Sequence, residues 1–197
     1  MTRTQSTWDS GSNSPIVALV YADGAFGGHV LQSATRALRR AGHACAGLIQ
    51  HDEPRPGQSR CDMLLENLQT GTRMPISEQR GPHARGCQLD PDALLRAMTE
   101  VRDGLRPSVE ILVLNKFGKS EAEGGGYRPL IAEALERGMT LLIGVPVRNL
   151  EAWRAFVDGT AREVRAETCA GLDDRALLDH LALTRAPSGR PAYAHAE

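Results

Sequence analysis

The chain has 197 residues, 41% of them hydrophobic, and a formal net charge of −1 at pH 7, which together predict one globular domain with a full-sized core. The balanced charge argues against nucleic acid and anionic membrane surfaces as partners. No apolar run approaches the roughly 20 residues that span a bilayer, and the polar amino terminus lacks the apolar core of a secretory signal, so we expect a cytoplasmic protein.

The first part of the chain is predicted to form a βαβ unit. Ile16 to Tyr21 is a continuous apolar run, which is typical of a buried strand. From Val30 onwards apolar side chains recur at helical spacing, and Gly42 is placed to end that helix. A second apolar strand follows from Ala44 to Ile49. Two strands joined by a helix predict parallel pairing in one sheet.

The loop ADGAFGGH lies between the first strand and its helix, where phosphate-binding proteins place backbone N–H groups. The working phosphate-binding pattern is G-x-x-x-x-G-K-[S/T], with Lys on the phosphates and the hydroxyl on magnesium. Here the second glycine is kept, but a Gly and a His stand at the Lys and hydroxyl positions, so the motif is degenerate. A tight strand-to-helix turn is the alternative. The candidate ligand-binding residues of this loop are Asp23, Gly24, Gly27, Gly28 and His29.

A small β-hairpin insertion is predicted next. Met63 to Ile76 contains two short strand patterns around a turn at Gly71, and Pro75 suits an edge strand. Residues 52 to 60, before the hairpin, are rich in Pro, Gly and charge, which indicates an exposed loop. Asp90 is then expected to cap a helix that runs to about residue 102.

The central strand and the loop after it contain the strongest functional signal. Ile111 to Leu114 is a short apolar run that ends abruptly in Asn115 and Lys116. Polar side chains at the carboxyl end of such a strand usually face a ligand crevice. Gly118, Lys119, two glutamates and three glycines follow before the next helix. We predict that Asn115, Lys116, Gly118 and Lys119 bind a ligand. A solvated connecting loop is the alternative.

The last third of the chain continues the alternation of helices and strands. A helix is predicted from Pro129 to Arg137, and a strand from Thr140 to Val145. Asn149 is expected to cap a helix whose Trp153 packs on the sheet, with stacking on a nucleobase as the alternative. A final helix is expected from about residue 173 to 183.

Strands that alternate with helices predict an α/β fold, with a mainly parallel sheet and helices on both faces. We expect a disordered tail over residues 1–14, one domain over residues 15–185, and a flexible tail over residues 186–197.

Cysteines and histidines do not predict a metal centre. The four cysteines include no C-x-x-C pair, so free thiols in a reducing compartment are expected. One half of the chain contains six potential ligands: His43, Cys45, His51, Cys61, His83 and Cys87. Their spacing matches no zinc finger or knuckle, and we expect no metal to be bound.

Six segments of the chain carry a family resemblance: LVYADG, AGLIQ, QTGTRMPISEQRG, GCQLDPDAL, LVLNKFGKSEAEGGGYRPLIAEAL and VPVRNLEAWRAF. Together they resemble a bacterial family of unknown function whose members are often linked to molybdenum-transport genes. That family is similar, more distantly, to small nucleoside triphosphatases of the P-loop class. The resemblance covers residues 16 to 165 and implies P-loop-like topology with a nucleotide as the ligand.

The chain departs from those enzymes where catalysis would occur. Their matching segment has the pattern D-E-x-G-K-x-E, in which Asp holds magnesium and the first Glu activates water. This chain has Asn115 and Lys116 at those two positions and keeps Gly118, Lys119 and Glu121. An amide is a poorer magnesium ligand than a carboxylate, and a charged ammonium cannot act as a base. We expect little or no hydrolysis and no firmly held magnesium, with Glu121 as the remaining catalytic candidate.

These observations lead to two functional hypotheses from different classes. The first is a protein that holds a nucleotide or another phosphate-bearing ligand between the two loops, with slow or no turnover. The second is an accessory or regulatory protein without catalysis, which binds an oxyanion such as molybdate or a protein partner. A metal-binding protein that uses His and Cys has the least support.

Overall fold

The computed structural model describes residues 14–22, 27–54, 61–77 and 89–184. Seven strands form one sheet: β1 (Ile16–Tyr21), β2 (Cys45–Pro54), β3 (Cys61–Asn67), β4 (Arg73–Pro75), β5 (Ile111–Leu114), β6 (Thr140–Pro146) and β7 (Arg162–Arg165). The helices are α1 (Gly27–Arg40), α2 (Pro91–Gly104), α3 (Lys119–Ala122), α4 (Arg128–Glu136), α5 (Leu150–Val157) and α6 (Asp174–Leu181). Most of the two predicted tails, and the candidate residues Asp23 and Gly24, lie outside the described residues.

The sheet is mainly parallel, as predicted. Its strand order is β4-β3-β2-β5-β6-β1-β7, and the five strands from β2 to β7 in this order pair in parallel. The strands β3 and β4 add an antiparallel hairpin at one edge, with Pro75 in the edge strand and Gly71 in the turn at a φ of +73°. The predicted hairpin insertion is therefore present.

Helices cover both faces of the sheet, which explains the continuous apolar runs in its central strands. Successive residues of a strand point to opposite faces. In β1, Val17 and Leu19 pack in the cluster that contains α1 and α6, whereas Ile16 and Ala18 pack in the cluster that contains α2, α4 and α5. Trp153 of α5 is fully buried in that second cluster. It therefore packs on the sheet and is not available for stacking on a nucleobase.

Several local predictions need correction. The strand β2 extends through Pro54, into a segment that was predicted to be a loop, because residues 50–54 pair with residues 61–65 of β3. The helix α1 begins at Gly27, before the first apolar residue of its buried face. The strand β7 was missed because its sequence REVR buries only Val164.

Asn149 does not cap α5 with its side chain. Its Nδ2 instead donates to the carbonyl oxygen of Phe117 at 2.8 Å.

The close packing of β2 on β5 depends on a glycine. Gly47 is buried in β2 with a φ of +123°, and a Cβ at this position would overlap the backbone carbonyl of Val113 in β5. We expect Gly47→Ala to lower the free energy of unfolding by about 3 kcal/mol or more, because it combines backbone strain with a steric overlap. Urea unfolding followed by circular dichroism measures this change.

Gly42→Ala is the matched control for this experiment. Gly42 also has a positive φ, +87°, but an added Cβ would meet no atom within 4 Å. Gly42→Ala should therefore lower the free energy of unfolding only through left-handed backbone strain, by about 1–2 kcal/mol. Equal losses in the two variants would show that contact between β2 and β5 does not require a glycine.

Candidate functional site

Both candidate loops lie at the same edge of the sheet. The strands β1, β6 and β5 are parallel neighbours, so the segments after them leave the sheet on the same side. Asn115 directly follows β5, and Gly27, Gly28 and His29 begin α1. Because β6 lies between β1 and β5, the two loops are separated by the width of one strand.

Neither backbone conformation nor contact with another described residue requires a glycine at position 28. Gly28 lies in the first turn of α1, and it is not among the glycines with positive φ. A Cβ added there would meet no atom within 4 Å. The tight-turn alternative required a backbone conformation that only glycine adopts easily, and Gly28 does not have it. As far as the described residues show, the space beside Gly28 is open.

The segment after β5 is held in place by hydrogen bonds to its neighbours. The Asn115 amide donates to Oε1 of Gln50 on β2 at 3.1 Å, and the Phe117 N–H donates to the carbonyl oxygen of Gly144 on β6 at 2.7 Å. Phe117 is fully buried, with its ring 5.3 Å from that of Trp153 in an edge-to-face arrangement. Lys116, between these two anchored residues, is half-buried. Its backbone position is therefore fixed before any ligand binds.

Glu121 is buried and closes the loop that follows. One carboxylate oxygen accepts from the Gly118 N–H at 2.7 Å, and the other accepts from the Tyr127 N–H at 2.9 Å. The side chain is only 3% exposed. We call these two hydrogen bonds the Glu121 clasp. Hydrogen bonds to an ionised acceptor are among the stronger ones in proteins, so the clasp stabilises the whole segment from residue 118 to residue 127.

The Glu121 clasp also explains part of the glycine run. Gly126 has a φ of +58°, and a Cβ there would overlap the Glu121 carboxylate. Burial, and to a smaller extent the negative charge of Glu121, raise the pKa of Tyr127, so its phenol stays protonated at neutral pH. The assignment of Glu121 as a catalytic residue stays a prediction, and its geometry favours a structural role.

The structure gathers all of the candidate residues of the central loop around a cavity of about 240 Å³, which we call the hairpin cavity. Its polar side is lined by Gln50, Asn115, Lys116, Lys119 and Arg148. Its apolar side is lined by Met63, Leu65, Ile76, Leu89 and Leu94. Sequence reasoning missed Gln50 and Arg148. Arg148 follows the carboxyl end of β6, the same position that identified Asn115 after β5, so the same signal could have found it.

The two lysines in the cavity wall are the only two in the chain. Lys and Arg together number 23, so the remaining 21 cations are arginines. The lysine side chains differ in environment. The Lys119 side chain is 86% exposed, and its Nζ lies 3.6 Å from Oε1 of Glu123. Lys116 is half-buried. A ligand charge in the cavity would therefore interact more strongly with Lys116, because screening by water is weaker there.

A second cavity, of about 400 Å³, lies beside the amino end of α1, and we call it the α1 cavity. It is lined by Tyr21, by His29 and Val30 of α1, and by residues from the segment after β7: Ala166, Glu167, Cys169, Ala170, Gly171 and Leu172. His29 is the only candidate residue that lines it among those the structure describes. The candidate residues of the central loop thus line the hairpin cavity and His29 lines the α1 cavity, whereas Gly28 is not among the residues that line either one.

The described residues do not assemble a metal centre. His43 Nδ1 lies 2.7 Å from a carboxylate oxygen of Glu110, and His51 Nε2 lies 2.8 Å from one of Glu66. Within the described ranges no group of three or more His, Cys, Asp or Glu side chains could hold a metal ion. Burial raises the pKa of the Cys45 thiol to about 11, so it is not a thiolate at neutral pH.

No described helix is long and apolar enough to cross a membrane.

The fold is that of a nucleoside triphosphatase. The solution structure of a human cancer-related nucleoside triphosphatase superposes with a TM-score of 0.57 at 21% identity, over 76% of this chain and 87% of that chain. This similarity confirms the predicted fold class. Residues 16–173 match the family described as "Protein of unknown function (DUF2478)", and the chain belongs to that family.

One relative has a more specific name. The chain is 32% identical over 130 residues to the molybdenum import ATP-binding protein ModC 2 of Bradyrhizobium diazoefficiens. The match covers 66% of this chain but only 14% of the length of that protein. The similarity therefore concerns a small part of a much longer chain.

The Glu121 clasp makes a prediction about stability. We expect Glu121→Gln to lower the free energy of unfolding by about 1–3 kcal/mol, because a side-chain amide has one acceptor oxygen and would leave one of the two buried N–H groups unpaired. Urea unfolding measures the loss. Glu123→Gln is the control, since that carboxylate is exposed, and it should change stability by no more than about 0.5 kcal/mol. Similar small changes in both variants would contradict the clasp.

Proposed function

We propose that this protein binds a nucleotide or another phosphate-bearing ligand at the carboxyl edge of β1, β6 and β5, with little or no hydrolysis. The fold of a nucleoside triphosphatase and the similarity to an ATP-binding protein support a nucleotide. The amino end of α1 favours an anion, and Gly28 leaves room for one. The observation that supports a phosphate site best is Lys116, held half-buried at the same edge by an anchored loop.

The residues of the hairpin cavity argue against efficient hydrolysis. Asn115 and Lys116 stand where the related enzymes have a magnesium ligand and a base. Among the described residues that line the cavity, Glu121 has the only carboxylate, and each of its oxygens already accepts a backbone N–H. Breaking those hydrogen bonds to free a base would leave buried donors unpaired, which is costly. Phosphoryl transfer by the usual route would lack both of its acidic groups.

A second candidate function is an accessory role in molybdenum metabolism, through binding of molybdate or of a protein partner. The similarity to a molybdenum import protein favours it. Lysine and arginine side chains also suit a tetrahedral oxyanion. Calorimetric titration with ATP, inorganic phosphate and molybdate, with and without magnesium, distinguishes the two functions. The first requires that ATP binds, and the molybdate form of the second requires that molybdate binds more tightly than ATP.

The two lysines allow a direct test of the site. We expect Lys116→Ala to weaken ATP binding about tenfold or more, because a charge-assisted hydrogen bond contributes about 1.5–3 kcal/mol. Lys119→Ala should have a smaller effect, since its ammonium is exposed and close to Glu123. Arg106→Ala is the control, because this exposed cation precedes β5 and lies toward the opposite edge of the sheet. Unchanged affinity in both lysine variants would remove this loop from the site.

We also expect magnesium-dependent ATP hydrolysis far below the ordinary enzyme median of roughly 10 per second, since the magnesium and base positions are occupied by Asn115 and Lys116. A steady-state phosphate-release assay on the purified protein measures it. Turnover near that median, abolished by Glu121→Gln in protein that remains folded, would contradict the proposal and identify Glu121 as a catalytic group.

A further inference from the structure

We propose that the hairpin cavity binds the organic part of the ligand, so that the ligand is an organic phosphate with an aromatic or apolar body and not a bare oxyanion. This inference rests on the proposed phosphate site and specifies the class of molecule that occupies it. The observation behind it is that one cavity is lined both by cationic side chains, Lys116 among them, and by apolar side chains such as Met63 and Leu89.

The polar side of the cavity suits a phosphate group. Lys116 is half-buried there, and Arg148 follows β6 on the same side. The side-chain amide of Asn115 donates a hydrogen bond to Oε1 of Gln50 at 3.1 Å, which orients both side chains before a ligand binds. The negative charge of Glu121 is balanced by two backbone N–H groups of its own loop. An anion is therefore the charge type that this side of the cavity favours.

The apolar side comes from the hairpin and from the start of α2. Leu65, Ile76 and Leu94 belong to the buried core, whereas Met63 and Leu89 are only partly buried. The last two therefore keep apolar surface that a ligand could cover. A bare phosphate or molybdate ion would gain nothing from this wall, because burying an anion against apolar groups is unfavourable. A ring or another apolar body would remove the same surface from water at a gain.

The size of the cavity limits the body of the ligand. A volume of about 240 Å³ lies below the range of roughly 300–1,000 Å³ that holds drug-sized ligands. It suits a single ring system or a base next to its phosphate. The larger α1 cavity is the competing position for that body, but among its described lining residues it has the carboxylate of Glu167 and no Lys or Arg. The hairpin cavity alone places apolar surface next to the two lysines.

The test compares ligands that share a phosphate and differ in the body. Inorganic phosphate, molybdate, phenyl phosphate and AMP are titrated into the full-length protein by calorimetry. We expect phenyl phosphate and AMP to bind about tenfold or more tightly than inorganic phosphate or molybdate, because the ring covers the apolar wall. NMR of the protein after reductive methylation with 13C-formaldehyde is an independent measurement of ligand contact at the lysines. The chain has only Lys116 and Lys119 as side-chain amines, so two lysine signals are expected. The methylated side chains keep their positive charge.

Variants locate the body of the ligand. Met63→Gln and Leu89→Gln should weaken AMP binding about threefold or more and leave inorganic phosphate binding unchanged, because they alter only the apolar wall. Leu95→Gln is the matched control: this α2 residue is 60% exposed and is not part of the wall. Leu172→Gln tests the α1 cavity. Two wall variants are used so that one can fail to fold without ending the test.

The outcomes separate this inference from the proposed function. If all four probes bind equally well and all depend on Lys116, the phosphate site stands and the organic ligand is wrong. If Leu172→Gln weakens AMP binding while both wall variants leave it unchanged, the body lies in the α1 cavity and the inference is overturned. The proposed site itself is wrong if Lys116→Ala leaves the affinity for every probe unchanged and if, in the unchanged protein, the NMR signal of methylated Lys116 does not shift on titration.

Discussion

Parallel pairing of β5, β6 and β1 is the constraint on which the rest of the site depends. Parallel strands with helical connections send every following segment out at the same edge, so three separate stretches of sequence meet there. The loop after β5, the turn after β6 and the start of α1 are held by this arrangement and not by contacts among their own residues alone. Among the described residues, those that follow β5 and β6 line the hairpin cavity, whereas the start of α1 and the segment after β7 line the α1 cavity.

Within this arrangement, the buried carboxylate of Glu121 organises the loop that follows β5. A loop that contains two lysines, two glutamates and four glycines could be a mobile lid. The Glu121 clasp makes it a fixed structure, since two backbone N–H groups from residues nine positions apart, Gly118 and Tyr127, bond to one side chain. The cost of burying the charge is offset by those hydrogen bonds, and the same bonds leave the carboxylate poorly suited to activate water.

The proposed site, with Lys116 on an anchored loop and apolar side chains in the same cavity, suits binding better than turnover. Preorganised groups bind a ligand without losing much conformational entropy, whereas hydrolysis also needs a base and a metal ligand placed around the attacking water. The fold alone does not decide this, because one fold supports many functions.

The sequence by itself determined the layered α/β fold and the edge at which the site lies. Continuous apolar runs such as Ile16 to Tyr21 can be buried only between two layers of helices, and polar residues directly after a strand, such as Asn115, mark its carboxyl end. These signals are local, because a strand pattern and the residue after it are adjacent in the chain.

Tertiary structure alone decided which residues meet. The extension of β2 through Pro54 depends on hydrogen bonds to β3, and β7 depends on pairing with β1, so neither could be recognised from its own side chains. The same holds for Asn149, which was expected to cap α5 and instead bonds to Phe117, 32 residues away. Glu121 looked like a reactive group because sequence gives residue type and spacing but not burial. Whether a carboxylate is free to react depends on which backbone N–H groups the folded chain brings to it, and that is a property of the complete fold.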